Sequence, residues 1–401
     1  MNILIVSQEL PYPPHGSGAK LKLYNLIKRL STGNSVYLAY FADSKDIPVD
    51  TGNLEKYCKG LYLFIKRAPT TPGLNKLAGK LFNKYPDEAA SYFSVEAVTK
   101  IQEIIEEVKI DIVHFDLIYM AQYGKHINKV PRIIVPNDVN WLLWQSVANY
   151  EMNPFKKLQY YVHYLRTKKY EIDNYHAFDG CVVVSGEDRK ALQSYIPDLP
   201  ISVISNGVDY DYFRPSIRST DTRNLIFTGV MSYKPNIDAV VYFFREIFPL
   251  IKARVEGVKL YIVGKDPVKE VLALESHDTI VTGYVDDIRG YAEKASIYIC
   301  PLRMGAGIKN KILEAMAMGM PIVATPKSLA GMDVVVGNDL LSADGPEEFA
   351  DATVRLLNDR KLREYLSKNA RKTIEIKYNW DLTVFGYEAL YRDIVKGKTR
   401  Q

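Results

Sequence analysis

The chain is poor in cysteine. It has three in 401 residues, Cys58, Cys181 and Cys300, far apart and without a C-x-x-C pair. That excludes a disulfide framework and a structural zinc site, and it fits a reducing cytosol. Long apolar runs are also missing. "NILIV" after Met1 spans five residues, has no basic leader and ends at polar Ser7 and Gln8, so it reads as a buried first strand and not a signal peptide. No run approaches the ~20 apolar residues of a membrane-spanning helix. No charge dominates either. A formal net charge of +5 is too weak to argue for nucleic acid, yet it is compatible with anionic substrates or an acidic membrane surface. Low-complexity tracts and repeats at a solenoid period are absent.

The composition that remains, 47% apolar and 25% charged, is that of a globular protein, and the length sets two domains as the prior. Short apolar runs alternate with longer helical patterns. In the first half the strand candidates are "NILIV", "VYLAYF", "LYLFI", "DIVHF", "RIIV" and "CVVVS"; in the second they are "NLIFTG", "VKLYIVG", "TIVTG", "SIYICP" and "PIVAT". Continuous apolar strands separated by helices predict parallel sheets covered on both faces. The pattern restarts near Asn224, which divides the chain into an N-terminal Rossmann-like domain (1–205) and a C-terminal one (224–376). Between them the linker 206–223 is rich in Asn, Gly, Asp, Pro and Ser, with Asn206-Gly207 as a turn. A closing helix occupies 377–401 and is expected to pack back on the N-terminal domain. In such folds ligands bind at the carboxyl ends of the strands, so the chemistry is expected in the loops that follow them.

The most informative stretch is "PLRMGAGIKNKILEAMAMGMPIVAT", residues 301–325. A strand, a Gly-rich loop and a helix follow one another. Gly305 and Gly307 let the backbone approach a ligand, and a helix N-terminus offers unpaired N–H groups with a positive dipole end. Arg303, Lys309 and Lys311 add positive charge, which suits a diphosphate. Glu314 lies six residues beyond Ile308, roughly 9 Å along a helix axis, about the reach from a pyrophosphate to the ribose of one nucleotide. The plain alternative is a loop with solvated lysines and Glu314 paired to one of them, since Gly-rich motifs match often by accident.

"LEAMAMGMPIVAT" closely resembles the E-A-M-A-x-G-x-P-V-V-A signature of the group 1 glycosyltransferases, the large retaining family four of GT-B fold. "VVVSGEDRKAL", "VISNGVDYDYFRP", "NLIFTGVMSYKPNIDAV", "LYIVGKDP" and "VTGYVDDIRGYAEKASIYICPLR" are similar to that family's segments in order, and "PYPPHGSGAKLKLYNLIKRL" resembles its first loop and helix. The "M-x-Y-x-P-N" and "P-L-R-x-G-x-G-x-x-x-K" patterns look like bacterial exopolysaccharide sugar transferases. The resemblance implies an α/β GT-B architecture, two doubly wound parallel-sheet domains facing across a cleft. The donor would be held by the C-terminal domain and the acceptor mainly by the N-terminal one. It also implies no cofactor and no metal, because protein cations and helix dipoles stabilise the leaving diphosphate.

Residue by residue, Glu314 matches the second acid of the family's E-x7-E motif, which holds the ribose. Gly305, Gly307, Ile308 and Lys309 match the part that cradles phosphates, and Tyr284 and Val285 sit in the loop whose backbone contacts the base. Gly229 ends the second domain's first strand. Two departures stand out. Ala306 replaces the motif's first acid, and Val230 follows Gly229 where the family carries a cation, leaving Lys234, or Arg303 and Lys311, to supply that charge.

Asp116 ends "DIVHFD" where many relatives carry a cleft histidine, so it is a candidate for the acceptor's proton; an N-cap for the next segment is the structural alternative. His114 is read as pointing the other way, a buried histidine. His15, Gly16 and Gly18 follow the first strand, and both glycines are candidates for close approach to the donor diphosphate. Residues 154–170, "PFKKLQYYVHYLRTKKY", hold five Lys or Arg and no acid, with Phe155, Leu158, Tyr161 or Val162, and Leu165 at helical spacing. They read either as an amphipathic helix on anionic lipid or as a helix with its apolar stripe on the core; "LNKLAGKLFNK" (74–84) has the same character.

The sequence therefore reads as a metal-independent retaining glycosyltransferase, cytoplasmic or peripheral on the inner face of a membrane. It moves a sugar from a nucleotide diphosphate-sugar to a saccharide or lipid-linked saccharide hydroxyl in polysaccharide biosynthesis, with Asp116, Arg303 and Lys311 as the catalytic candidates. The alternatives are a non-catalytic nucleotide-sugar-binding subunit and a nucleotide-sugar epimerase.

Overall fold

The computed structural model describes residues 1–14, 17–45, 47, 50–67, 83–215, 222–305 and 307–398. His15, Gly16, Ala306 and most of the basic segment 74–84 lie outside the described residues. The chain forms two compact units, Met1–Asn206 with Trp380–Gln401, and Gly207–Asn379. Seven helices matter below: α1 (Gly18–Leu30), α2 (Asn140–Tyr150), α3 (Pro154–Tyr175), α4 (Lys234–Tyr242), α5 (Asn310–Ala317), α6 (Arg360–Lys377) and α7 (Trp380–Lys398).

The first unit is built on a seven-stranded parallel sheet. Its strands are β1 (Asn2–Ser7), β2 (Ser35–Ala42), β3 (Cys58–Ile65), β4 (Ile112–Asp116), β5 (Arg132–Asn137), β6 (Gly180–Val183) and β7 (Ile201–Val203), in the order β3-β2-β1-β4-β5-β6-β7. Alternate residues of β1 enter two separate cores, Leu4 and Val6 on one face, Ile3 and Ile5 on the other. That is why the strand reads as an unbroken apolar run. Helix α7 closes the second of these faces with Tyr387 and Tyr391. Asn34 Nδ2 donates to Glu388 Oε1 at 2.9 Å and Arg29 pairs with Asp381 at 3.3 Å, which fixes α7 on the α1 side.

The second unit has a six-stranded parallel sheet. Strands β8 (Asn224–Thr228), β9 (Lys259–Val263), β10 (Thr279–Val281), β11 (Ile297–Cys300), β12 (Ile322–Ala324) and β13 (Leu341–Ser342) lie in the order β10-β9-β8-β11-β12-β13. Described residues of the stretch read as a linker pack on this unit. Residues 204–207 form no turn, Val208 N donates to Tyr378 O at 2.8 Å, and Arg371 Nη1 donates to Tyr210 O and Phe213 O at 2.8 and 3.1 Å. In both sheets the strand order reverses once, between β1 and β4 and between β8 and β11. A doubly wound sheet opens its ligand crevice at that reversal.

Candidate active site

The reversal of the second sheet is where the Gly-rich stretch lies. Strand β11 delivers the chain into the loop 301–309, and the loop's base is fastened from below. Thr325 Oγ1 donates to Leu302 O at 2.5 Å and Ser328 Oγ donates to Cys300 O at 2.6 Å, both side chains being buried. Gly305 (φ 129°) and Gly307 (φ 63°) hold backbone conformations that a Cβ disfavours. Helix α5 then starts at Asn310, and the side chain of its N-cap Lys309 makes no cap hydrogen bond. Gly307 therefore precedes the helix and does not share its face. The Ile308 side chain is core, and Lys309 Nζ folds back onto the Gly307 carbonyl.

Lys311 is the centre of the site. Its Nζ donates to Asn236 Oδ1 at 2.6 Å and lies 4.1 Å from the Phe227 ring centroid. Asn236 Nδ2 in turn donates to Val230 O at 2.9 Å, which shapes the loop leaving β8. Gly229 (φ 157°) makes room for this arrangement, because a Cβ there would stand 2.7 Å from Lys311 Nζ and 2.6 Å from Asn236 Nδ2. Burial brings the Lys311 ammonium down to about 8, against the opposing pull of Cys300 and Glu314. One turn along α5, burial pushes the Glu314 carboxyl up to about 7, with Lys311 opposing. Glu314 and Lys311 each keep partial access to solvent. Burial thus shifts an acid and a base, one turn apart on α5, each toward its neutral form.

Arg303 is not spare charge. Its Nε and Nη2 make a fork to Asp238 Oδ2 and Oδ1 at 3.0 and 2.6 Å, and its guanidinium lies 4.2 Å from the Tyr242 ring centroid. The cation expected to face a diphosphate alone is thus largely offset by a carboxylate from α4. Gly264, which follows β9, is the second close approach: a Cβ there would lie 1.7 Å from Gly229 O. Sequence reasoning missed Asn236, Asp238 and Gly264. Lys234 begins α4 and is exposed. Tyr284 (70% exposed) and Val285 lie in the loop after the edge strand β10, which β9 separates from β8.

The reversal of the first sheet carries a buried polar network. Asp116 is 2% exposed, with Ser7 Oγ at 3.5 Å and His114 Nε2 at 3.7 Å. His114 and Asp116 are two residues apart on β4 and share a face, as period-two side chains must. The opposite orientation read for His114 is therefore corrected. His114 Nδ1 and the Tyr391 hydroxyl are 2.6 Å apart, which ties β4 to α7. Asp116 caps no helix: the 3-10 segment that follows starts at Ile118 with Leu117 before it. Lys22 is equally buried, donates to Asn137 Oδ1, and is brought down to about 8 by burial with Asp116 and Asp138 opposing. Leu117 and Asn137 both stand at φ 70°, strained backbone for residues with a Cβ, at the ends of β4 and β5. Asp116, the candidate for the acceptor's proton, is thus buried within this network. Gly18 is the first residue of α1, capped by Ser17 Oγ, which accepts from Lys20 N at 3.1 Å.

No His, Cys, Asp or Glu cluster among the described residues has the make-up of a metal site, and Asp287 is forked to Arg289 at 2.6–2.9 Å. The three cysteines are buried and form no disulfide.

Comparison with known families settles the class. Residues 222–359 match the family described as glycosyl transferases group 1, and residues 65–212 match glycosyltransferase family 4. The chain belongs to the group 1 glycosyltransferases. It is 22% identical over 391 residues, 94% of this chain and 96% of the relative, to an uncharacterized 44.6 kDa protein in the cps region of Klebsiella pneumoniae. It is 22% identical over 271 residues, 63% of this chain and 70% of the relative, to the capsular polysaccharide biosynthesis glycosyltransferase CapM of Staphylococcus aureus. Other curated relatives are matched over 30% to 61% of their own length. The fold is similar to that of Anabaena HepE, crystallised with UDP, at a TM-score of 0.69 and 15% identity over 98% of this chain and 100% of that one. This group 1 glycosyltransferase thus has the GT-B fold, and its relatives support a part in making polysaccharide or cell-surface glycan.

Proposed function

We propose that the second unit binds a nucleotide diphosphate-sugar at the loop 301–309 and the start of α5, and that the sugar passes with retention to a hydroxyl of a saccharide or lipid-linked saccharide. The observation that carries this reading is the convergence at one sheet reversal of Gly229, Lys311, the α5 N-terminus and Glu314. Each answers one need of the ligand. The positive dipole end of α5 and Lys311 offset charge that grows on the diphosphate as its bond to the anomeric carbon breaks. Glu314 accepts from ribose hydroxyls. Asp238 forks the Arg303 guanidinium beside the Tyr242 ring and fixes its position at the edge of the loop. The exposed Tyr284 ring offers a face for the base. As the acceptor oxygen bonds to the anomeric carbon, the acceptor's proton leaves with the diphosphate.

UDP in the Anabaena neighbour makes a uridine nucleotide the first donor to try. Because protein cations serve the diphosphate, transfer is proposed to run without a divalent metal. We also propose a cytoplasmic site of action, peripheral to a membrane. The test is a thermal-shift panel of UDP-, GDP-, ADP- and dTDP-sugars, followed by NMR of the anomeric product in the presence of chelator. A stabilising donor that yields a transferred sugar of unchanged configuration supports the proposal. Failure of every nucleotide to bind, or a strict manganese or magnesium requirement, overturns it.

A further inference from the structure

The long helix α3 turns its apolar stripe outward. Its C-terminal half is anchored: Thr167, Tyr170, Glu171 and Asn174 are buried. At about 100° per residue these four define one direction. Leu158, Tyr161 and Leu165 project on the opposite side of the same helix, with Phe155 at its margin. They are 59%, 50%, 47% and 79% exposed, and Met152 in the turn before the helix is 92% exposed. Tyr150, at the end of α2, is exposed as well. The helical pair α2–α3 therefore ends in an apolar tip continuous with an apolar stripe, and no described part of the chain covers either. The reading that puts this stripe on the core is corrected: the core-facing residues are a different set, and only their positions past 166 are buried.

An exposed run of this size marks an interaction surface. Charge identifies the partner. Lys156, Lys157, Arg166, Lys168 and Lys169 lie on the same helix, against two acids past 170, the buried Glu171 and Asp173, which pairs with Lys169 at 3.6 Å. A second copy docking stripe to stripe would bring these cations together, a like-charge juxtaposition that costs affinity. An anionic bilayer has the opposite sign and takes apolar side chains into its acyl boundary. Tyr161 in the stripe and Tyr164 next to it are amphipathic rings suited to the headgroup level.

We infer that α3, with the tip 150–158, is a membrane-docking element that seats this protein on an anionic lipid surface. No helix among the described residues is long and apolar enough to cross a membrane, so this contact lies on the bilayer and does not span it. It belongs to the first unit, and the proposed nucleotide site to the second, so its test needs no transferase activity.

The experiment is vesicle flotation of the full chain with phosphatidylcholine alone and with phosphatidylcholine containing phosphatidylglycerol, at low salt and in about 0.5 M salt. Two variants are compared, Phe155→Ser with Leu158→Ser, and Lys156→Glu with Lys157→Glu. All four side chains are exposed, so both variants are expected to unfold at the wild-type temperature. Wild type is expected on anionic vesicles at low salt and off them at high salt, and each double variant is expected to partition roughly tenfold less. Equal binding to neutral and anionic vesicles, or wild-type partition by both variants, overturns the inference. So does a lipid-free dimer that the serine variant dissolves, which would assign the stripe to a second copy.

Discussion

Lys311 Nζ meets Asn236 Oδ1 at 2.6 Å, and this bond joins α5, the helix after β11, to α4, the helix after β8, across the reversal of the second sheet. The two residues are 75 apart in the chain. Their contact sets the ammonium where a diphosphate would need it. Lys311→Met keeps the stem over Phe227 and removes the charge, so turnover of a nucleotide-sugar is expected to fall about 10²–10³-fold. Folding stability is expected to hold or rise, because a buried cation is lost. A steady-state rate assay beside a denaturant titration checks both.

Glu314 gives a pH signature. Its folded value of about 7 lies above the ordinary 4.5, so the folded state binds this proton more tightly than the unfolded chain does. That contribution is fully present below pH 4.5 and is lost as pH rises to about 7. Glu314→Gln is therefore expected to be more stable than wild type at pH 8 and close to it at pH 4.5. Urea midpoints at the two pH values check this. An equal difference at both would mean the carboxyl is not held protonated by burial.

Gly264 and Gly229 allow the two strand ends to touch. Gly264→Ala would force a Cβ to 1.7 Å from Gly229 O, at a φ of 150°. A loss of about 2 kcal/mol or more is expected, the scale of enforced backbone strain and overpacking. Gly257→Ala is the control for a positive φ with open space around it, and should cost less. Denaturant titration of both variants measures the difference.

The two parallel sheets were legible because buried strands write themselves as unbroken apolar runs, as in "NILIV" and "SIYICP". The short strands β7 and β13 escaped that signal. The loop 301–309 was legible too, since glycines and cations before a helix announce themselves locally. Asn236 and Asp238 were not, because their partners lie 75 and 65 residues away and only the β8–β11 adjacency brings them together. The shared face of His114 and Asp116 was available from strand periodicity alone. The outward stripe of α3 was visible as spacing, but which stripe faces the core depends on what α2 and the sheet offer it.

Arg303 and Asp238 are expected to behave as one unit. Their fork is partly buried, so removing either partner strands the other. Arg303→Ala and Asp238→Ala should each lower stability, and the double variant should lose less than the sum, with a coupling of about 1–3 kcal/mol. Additive losses would show that the fork does not hold in solution.

The most direct test of the nucleotide site compares two ligands on two proteins. An ionised Glu314 that accepts from ribose makes charge-assisted bonds worth about 1.5–3 kcal/mol each. Calorimetry at pH 7.5 would measure a nucleoside diphosphate and its 2′-deoxy analogue on wild type and on Glu314→Ala. The deoxy change is expected to weaken binding to wild type roughly tenfold or more and to leave binding to Glu314→Ala almost unaffected. Equal affinity of wild type for the two nucleotides would contradict the placement of the ribose at Glu314, and with it the donor site at α5.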